Sequence, residues 1–111
     1  MVHCGWRGLA GGIVERAVDE VDAEAAAIGP GIGPCCYEVG EEVLAEFDDL
    51  GGVAEGRMLD LPAVARKLLE RAGVGSIESA ELCTSSNPEL FYSHRRDGER
   101  TGRQAGLVWV E

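Results

Sequence analysis

The chain has 111 residues, which suits one small domain, and its 45% hydrophobic and 27% charged composition is typical of a folded protein. Twenty acidic residues against ten basic ones give a formal net charge of -10, which argues against general binding to nucleic-acid phosphates. The sequence has no apolar run of ~18 residues and no signal-type leader. It therefore predicts a cytoplasmic protein with no membrane partner.

The first half of the chain predicts two helices and one strand. Residues 3–8 are punctuated by glycine and predict a loop. Apolar residues at helical spacing then predict a helix from Leu9 to Val21, followed by a short buried strand over Ala25–Ile28. Residues 29–34 contain three Gly and two Pro, so they predict an irregular loop. A second helix is expected over Val39–Phe47.

A turn-rich connection over residues 48–57 leads to a third helix with clear boundary signals. Asp60 is the expected N-cap, Pro62 suits the first turn, and Gly73 suits the position after the last turn. Weak alternation then predicts a strand over Ser76–Leu82.

The last third of the chain predicts a short helical turn over Asn87–Phe91, a turn over Arg95–Gly98 and a buried strand over Ala105–Val110. Interleaved helices and strands indicate an α/β or α+β domain formed by residues 1–111. Three candidate strands are few for a sheet that must cover three amphipathic helices. We therefore expect the chain to be part of a larger domain.

The metal-ligating residue types are sparse. The chain has four cysteines without a C-x-x-C motif and only two histidines, His3 and His94. A self-contained metal site would have to combine these histidines with cysteines or carboxylates. A multi-copper centre needs more imidazole than this chain has.

Three segments concentrate chemistry-bearing residues. In the first, over residues 3–8, His3 and Cys4 could bind a metal, and Arg7 could bind an anion beside the following helix. The alternative is that these residues are a frayed terminus without a function.

In the second segment, over residues 29–40, a glycine loop could approach a phosphate, or it could be a rigid turn. Its Cys35 or Cys36 could act as a nucleophile if a base such as His94 lay nearby.

The third segment, residues 83–104, gathers arginines and hydroxyls in an otherwise acidic chain. The adjacent pair Arg95 and Arg96 suits bidentate recognition of phosphate or carboxylate. A solvated basic turn, balanced by Asp97 and Glu99, is the alternative. Trp6 and Trp109 are expected to pack at the core or its rim.

Together these three segments resemble one family. The runs His-Cys-Gly-Trp-Arg-Gly (3–8), Ile-Gly-Pro-Cys-Cys-Tyr-Glu-Val-Gly (32–40) and Phe-Tyr-Ser-His-Arg-Arg-Asp-Gly (91–98), followed by Thr-Gly-Arg-Gln (101–104), look like the polyphenol oxidase or laccase-domain family. The order and spacing agree over essentially the whole chain, but only with the C-terminal half of family members.

The resemblance implies an α/β layered sandwich with a mixed sheet, related to a toxin-type cysteine hydrolase fold and incomplete here. It implies a zinc site, with copper possible, built from two His and one Cys, of which only His3 is present in this chain. It also implies a monomer for the complete family member. This chain departs from the usual family motif at Cys4 and His94.

The implied activity is phosphorolysis of the purine nucleosides adenosine, inosine and methylthioadenosine, with adenosine deamination as a second reaction. On this hypothesis Arg7, Cys36 and His94 are the catalytic candidates. The expected contacts to nucleoside and phosphate come from Gly31, Gly33, Arg95 and Arg96. Two alternatives stay open: a hydrolase that edits peptidoglycan precursors in the same pocket, and an inactive fragment that lacks the rest of the metal site.

Overall fold

The computed structural model describes residues 1–110 and contains five helices and four short strands. The helices are α1 (Trp6–Ala10), α2 (Ile13–Val21), α3 (Glu41–Ala45), α4 (Leu61–Arg71) and α5 (His94–Asp97). The strands are β1 (Ala25–Ile28), β2 (Ala54–Glu55), β3 (Met58–Leu59) and β4 (Ser76–Ser79), and two 3₁₀ turns lie at Asp48–Leu50 and Gly98–Arg100. Mixed helices and small sheets confirm the predicted α/β class.

Helix α4 lies at the centre of the packing. It contacts α1 and α2 on one side and the sheet of β1 and β4 on the other. Its residues Val64 and Leu68 are buried, as is Leu59 just before it. Its start agrees with the sequence prediction, because the Asp60 carboxylate accepts a hydrogen bond from the Ala63 N–H at 3.0 Å. A capped amphipathic helix therefore organises the core.

The two sheets differ in the direction of their strands. Strands β1 and β4 pair in parallel, with Ala25 opposite Ser76 and Ile28 opposite Ser79. Strands β2 and β3 form an antiparallel hairpin. The segment over residues 37–39 also runs antiparallel to β3, because the Val39 N–H donates to the Arg57 carbonyl and the Leu59 N–H donates to the Tyr37 carbonyl, both at 2.9 Å.

Several helix boundaries differ from the sequence predictions. The helix expected from Leu9 to Val21 is divided into α1 and α2, since Gly12 adopts a left-handed φ of 92° that breaks the helical path. Helix α1 begins at Trp6, inside the predicted loop, and α3 is shorter than the predicted helix over Val39–Phe47.

The later segments also depart from prediction. Strand β4 ends at Ser79, so only the first half of the strand predicted over Ser76–Leu82 forms. Asn87–Phe91 forms a hydrogen-bonded turn instead of a helix, and the turn expected at Arg95–Gly98 contains the short helix α5. A buried Ser93 hydroxyl caps α5, a local hydrogen bond that the turn prediction did not include.

The buried strand predicted over Ala105–Val110 is wrong. These residues form no strand, and the side chains of Leu107, Trp109 and Val110 are 83%, 73% and 97% exposed. An apolar segment forms a β-strand only when a second strand satisfies its backbone hydrogen bonds. No strand among residues 1–110 pairs with this segment. None of the helices within that range has the length and apolar character required to cross a bilayer.

Candidate functional site

The parallel pairing of β1 and β4 brings two distant loops to the same edge of the sheet. Beyond the strands the pairing continues, with the Ala80 N–H donating to the Ile28 carbonyl and the Thr84 N–H donating to the Gly31 carbonyl, both at 2.9 Å. Gly31 and Cys83 form an isolated parallel bridge. The glycine loop and the Cys83 turn therefore lie side by side.

Three cysteine thiols meet where these loops touch. The Cys35 Sγ lies 2.7 Å from the Cys36 Sγ and 3.6 Å from the Cys83 Sγ. All three sulfur atoms lie within 4.8 Å of one another, so the group could hold a metal ion. Cys35 is exposed, and the other two are partly buried. We call these three residues the thiol cluster.

The surroundings give the thiols of the cluster different acidities. Burial opposes ionisation of Cys83, but hydrogen bonds from the Ser86 hydroxyl, the Gly33 and Ser86 backbone N–H groups and the Cys35 thiol lower its pKa to about 6. The hydrogen bond with Cys35, together with burial, raises the pKa of Cys36 to about 11. Cys83 is therefore the more readily ionised of these two thiols.

Both glycines predicted to bind substrate lie against the Cys83 turn. The Gly33 N–H donates to the Cys83 Sγ at 3.2 Å, and a Cβ added at Gly33 would lie 3.3 Å from the Cys83 Cβ. Gly31 accepts the hydrogen bond from Thr84. The absence of a side chain at Gly33 therefore allows the backbone of the glycine loop to lie close to the Cys83 thiol.

A cavity of about 430 Å³ is lined in part by Tyr37, the residue that follows Cys36 in the chain. The antiparallel contact between residues 37–39 and β3 sets Tyr37 and Arg57 on its wall. The Arg57 Nε–H donates to the Val39 carbonyl at 3.1 Å. The full lining is Trp6, Tyr37, Glu38, Val39, Gly40, Val43, Arg57 and Arg95.

The adjacent arginines Arg95 and Arg96 have different surroundings. The Arg95 guanidinium lies 4.7 Å from the centre of the Tyr37 ring, at the cavity, and has no hydrogen-bond or ion-pair partner among residues 1–110. All five Arg96 N–H groups meet protein acceptors, which are the carbonyls of Thr84, Ser85 and Phe91 and both carboxylate oxygens of Asp97. Of the two, Arg95 is free to bind an anion.

The Arg96–Asp97 pair ties α5 to the Cys83 turn. Hydrogen bonding to the Arg96 guanidinium holds the pKa of the Asp97 carboxyl below its usual value, and the same contact raises the pKa of Arg96. Both groups therefore stay charged at neutral pH. Arg96 fixes the backbone on which Cys83 and Arg95 are placed.

The other predicted site residues are exposed. Arg7 is exposed on α1, and its guanidinium lies 5.0 Å from the centre of the Trp6 ring. His3 is exposed near the amino terminus, and His94 is exposed at the start of α5. No hydrogen bond joins His94 to a cysteine within the described range of 1–110, and the pairing of Cys36 with this base stays a prediction.

Sequence reasoning missed three features of the site. Arg57 lay in a segment predicted only as a turn-rich connection, and no local signal identified it. Trp6 packs on the core as expected, but it also lines the cavity. The joining of Cys83 to Cys35 and Cys36 depends on strand pairing across almost 50 residues, although their shared thiol chemistry was visible in the sequence.

Comparison with known proteins decides the family. Residues 1–111 match a family model described as multi-copper polyphenol oxidoreductase laccase. The chain belongs to this family. A solved Neisseria meningitidis protein assigned to the DUF152 family, to which the chain is 34% identical, superposes with a TM-score of 0.77 over 87% of this chain and 46% of that one. The laccase-domain resemblance is thereby confirmed.

The similar curated proteins carry an enzyme name. The chain is 42% identical to a Xylella fastidiosa protein named purine nucleoside phosphorylase, over 99% of this chain and 48% of that protein. It is 40% identical to a Deinococcus radiodurans protein of the same name, over 96% of this chain and 46% of that protein. The chain thus spans about half the length of the curated relatives it matches.

The surroundings of His3 do not fit the metal that the family name implies. Among residues 1–110, the thiol cluster is the group of three side chains close enough together to hold a metal ion. It contains no histidine. His3 is exposed and stands outside it. The assignment of His3 as a metal ligand stays a prediction.

Proposed function

We propose that the cavity lined by Tyr37 and Arg95 binds a purine nucleoside and phosphate, and that the chain supplies this cavity to a purine nucleoside phosphorylase. The observation that carries the proposal is the Arg95 guanidinium, which lies against the Tyr37 ring and has no ion-pair partner within residues 1–110, in a chain whose relatives bear that enzyme name. A volume of about 430 Å³ suits a small-molecule ligand.

An aromatic side chain of the cavity suits the purine. Trp6, which is only partly buried, lines the cavity, and stacking of a base on an aromatic side chain contributes about 1–3 kcal/mol. Val39 and Val43 add buried apolar surface to the lining. The Trp6 ring is therefore the surface on which we expect a flat heterocyclic base to stack.

The two arginines at the cavity suit phosphate. In phosphorolysis a phosphate oxygen attacks C1′ of the ribose, the C–N glycosidic bond breaks, and the departing base takes up a proton. Arg95 and the terminal N–H groups of Arg57 would hold the phosphate and its charge. Gly31, Gly33 and Arg96 would act as positioning residues that fix the neighbouring loops.

The predicted catalytic residues take narrower roles in this proposal. The raised pKa of Cys36 keeps its thiol protonated at neutral pH, so we assign it hydrogen-bond donation rather than nucleophilic attack. His94 is next to Arg95 in the chain and is the proposed proton donor to the departing base. Arg7 would act by holding the Trp6 ring in place.

The resemblance adds finer expectations to the proposal. It extends the substrates to adenosine, inosine and methylthioadenosine and adds deamination of adenosine, which would appear as inosine formed without phosphate. It also adds dependence on zinc, or on copper, and a monomeric state for the complete family member. Four free thiols support a cytoplasmic location, where cysteines stay reduced.

The test is the release of base from inosine with and without phosphate, followed by chromatography. We expect hypoxanthine and ribose 1-phosphate to appear only when phosphate is present. An Arg95→Ala variant should raise the KM for phosphate about 10–100-fold, since each hydrogen bond to a charged group contributes about 1.5–3 kcal/mol. Arg100→Ala removes an exposed arginine outside the cavity lining and serves as the matched control. Base release that is equally fast without phosphate would indicate a hydrolase and contradict the proposal.

A further inference from the structure

We propose that Cys35, Cys36 and Cys83 together bind one thiophilic closed-shell metal ion, Zn²⁺ or Cu⁺, through their three sulfur atoms. Three sulfur donors lie within 4.8 Å of one another at the meeting point of two loops. Thiolate sulfur is the ligand that these soft ions prefer. The site does not use His3, and in the metal-bound state Cys36 would be a ligand instead of the hydrogen-bond donor proposed above.

The distances suit a three-sulfur site after a small adjustment. A metal bound at about 2.3 Å from each sulfur places neighbouring sulfurs about 3.8–4.0 Å apart. The Cys35–Cys83 separation of 3.6 Å is already close to this value. The Cys35–Cys36 separation of 2.7 Å must widen by about 1 Å on binding at the same bond lengths, and Cys35 is exposed and has room to rotate.

The backbone holds the Cys83 turn in position before any metal arrives. The Asn87 Nδ2–H donates to the Cys83 carbonyl at 2.8 Å, and Arg96 binds the next two carbonyls of the turn. The Gly33 N–H already donates to the Cys83 sulfur. Such a donor is a typical outer-shell partner, because it stabilises a charged ligand without occupying the metal.

The coordination number distinguishes the two ions. Three sulfurs satisfy trigonal Cu⁺, whereas Zn²⁺ takes four ligands and would add a solvent molecule at the exposed side of Cys35. The negative net charge of the chain favours either cation. Since Cys36 immediately precedes Tyr37, the ion would lie beside the cavity wall.

The test is a metal titration of the reduced, chelator-treated chain under anaerobic conditions. Cd²⁺ serves as the spectroscopic probe, because its thiolate complexes give a sulfur-to-metal charge-transfer absorption. We expect one Cd²⁺ per chain, and we expect prior addition of Zn²⁺ or Cu⁺ to compete with it for the same site. Competition with chromophoric chelators for each of these two ions then shows which one binds more tightly. Failure of the wild-type chain to develop the absorption, or to bind either ion at one equivalent, would overturn the proposal whatever the variants do.

Single cysteine variants assign the ligands. Cys35→Ser, Cys36→Ser and Cys83→Ser should each weaken binding at least about 10-fold, as loss of one thiolate ligand requires. Cys4→Ser is the matched control, because Cys4 is outside the thiol cluster. Circular dichroism checks that each variant is folded. Binding that survives Cys83→Ser, or that is lost in Cys4→Ser, would contradict the assigned site.

Discussion

Cys83 should react with alkylating agents at a much lower pH than an ordinary cysteine. Hydrogen bonds from Ser86, Gly33 and Cys35 lower its pKa to about 6 against the opposing effect of burial, compared with a reference value of 9.0. At pH 6 about half of Cys83 is thiolate, against about 0.1% of a thiol at the reference value. The thiolate population therefore differs about 500-fold between the two at this pH.

The expected rate difference is smaller than the population difference. A less basic thiolate is a weaker nucleophile, and a Brønsted coefficient of about 0.45 over about three pKa units reduces its reactivity about 20-fold. Cys83 should then react about 20-fold faster than an ordinary cysteine at pH 6, and only about fourfold faster at pH 7. The pH midpoint of the reaction is consequently a sharper test than any single rate.

The assay is iodoacetamide alkylation of the reduced, metal-free chain over a pH series, with each cysteine followed by peptide mass spectrometry. The Cys83 peptide should show a midpoint near pH 6. Cys4 is the internal reference, because burial raises the pKa of its thiol. Ser86→Ala removes a stabilising hydrogen bond and should shift the Cys83 midpoint upward. A wild-type midpoint for Cys83 near pH 9 would refute this account of the cluster.

Three further predictions concern the stability of the metal-free chain. Asp60→Ala removes the N-cap of α4 and should lower the free energy of unfolding in urea by about 0.5–2 kcal/mol, whereas Asp60→Asn should retain most of it. Leu59→Ala should cost about 2–5 kcal/mol in the same assay, because Leu59 is 0% exposed, and a loss below 1 kcal/mol would contradict the core assignment. The lowered pKa of Cys83 stabilises the folded state fully above pH 9, and this contribution is lost as the pH falls through 6. The raised pKa of Cys36 stabilises the folded state below pH 9, and that contribution is lost as the pH rises through about 11. Urea unfolding of wild type and Cys83→Ser should therefore differ in slope against pH between 6 and 9, and parallel curves would contradict this assignment.

Features fixed by neighbouring residues could be predicted from the sequence. Asp60, Pro62 and Gly73 mark the ends of α4 through local backbone chemistry, and the structure places α4 between Leu61 and Arg71. Strand β1 covers the predicted residues Ala25–Ile28, but none of the four is buried, so the predicted burial was wrong. Gly12 was visible too, but helical spacing of the apolar residues outweighed it in the prediction, so the break between α1 and α2 was missed.

Features that depend on distant partners could not be predicted in the same way. The apolar run of Ala105–Val110 suits a strand, but a strand forms only beside another, and nothing local reports that partner. The thiol cluster needs β1 and β4 to pair before Cys83 meets Cys35. The different roles of Arg95 and Arg96 likewise depend on the carbonyls that the folded Cys83 turn presents.

The central claim is that the cavity beside Arg95 binds a purine nucleoside together with phosphate. Separate isothermal titrations of the chain with phosphate and with inosine test it without turnover, because neither ligand alone completes the reaction. We expect one site per chain for each ligand, with phosphate affinity weakened about 10-fold or more in Arg95→Ala and unchanged in Arg100→Ala. Failure of wild type to bind either ligand, or phosphate binding that is the same in Arg95→Ala as in wild type, would contradict the claim.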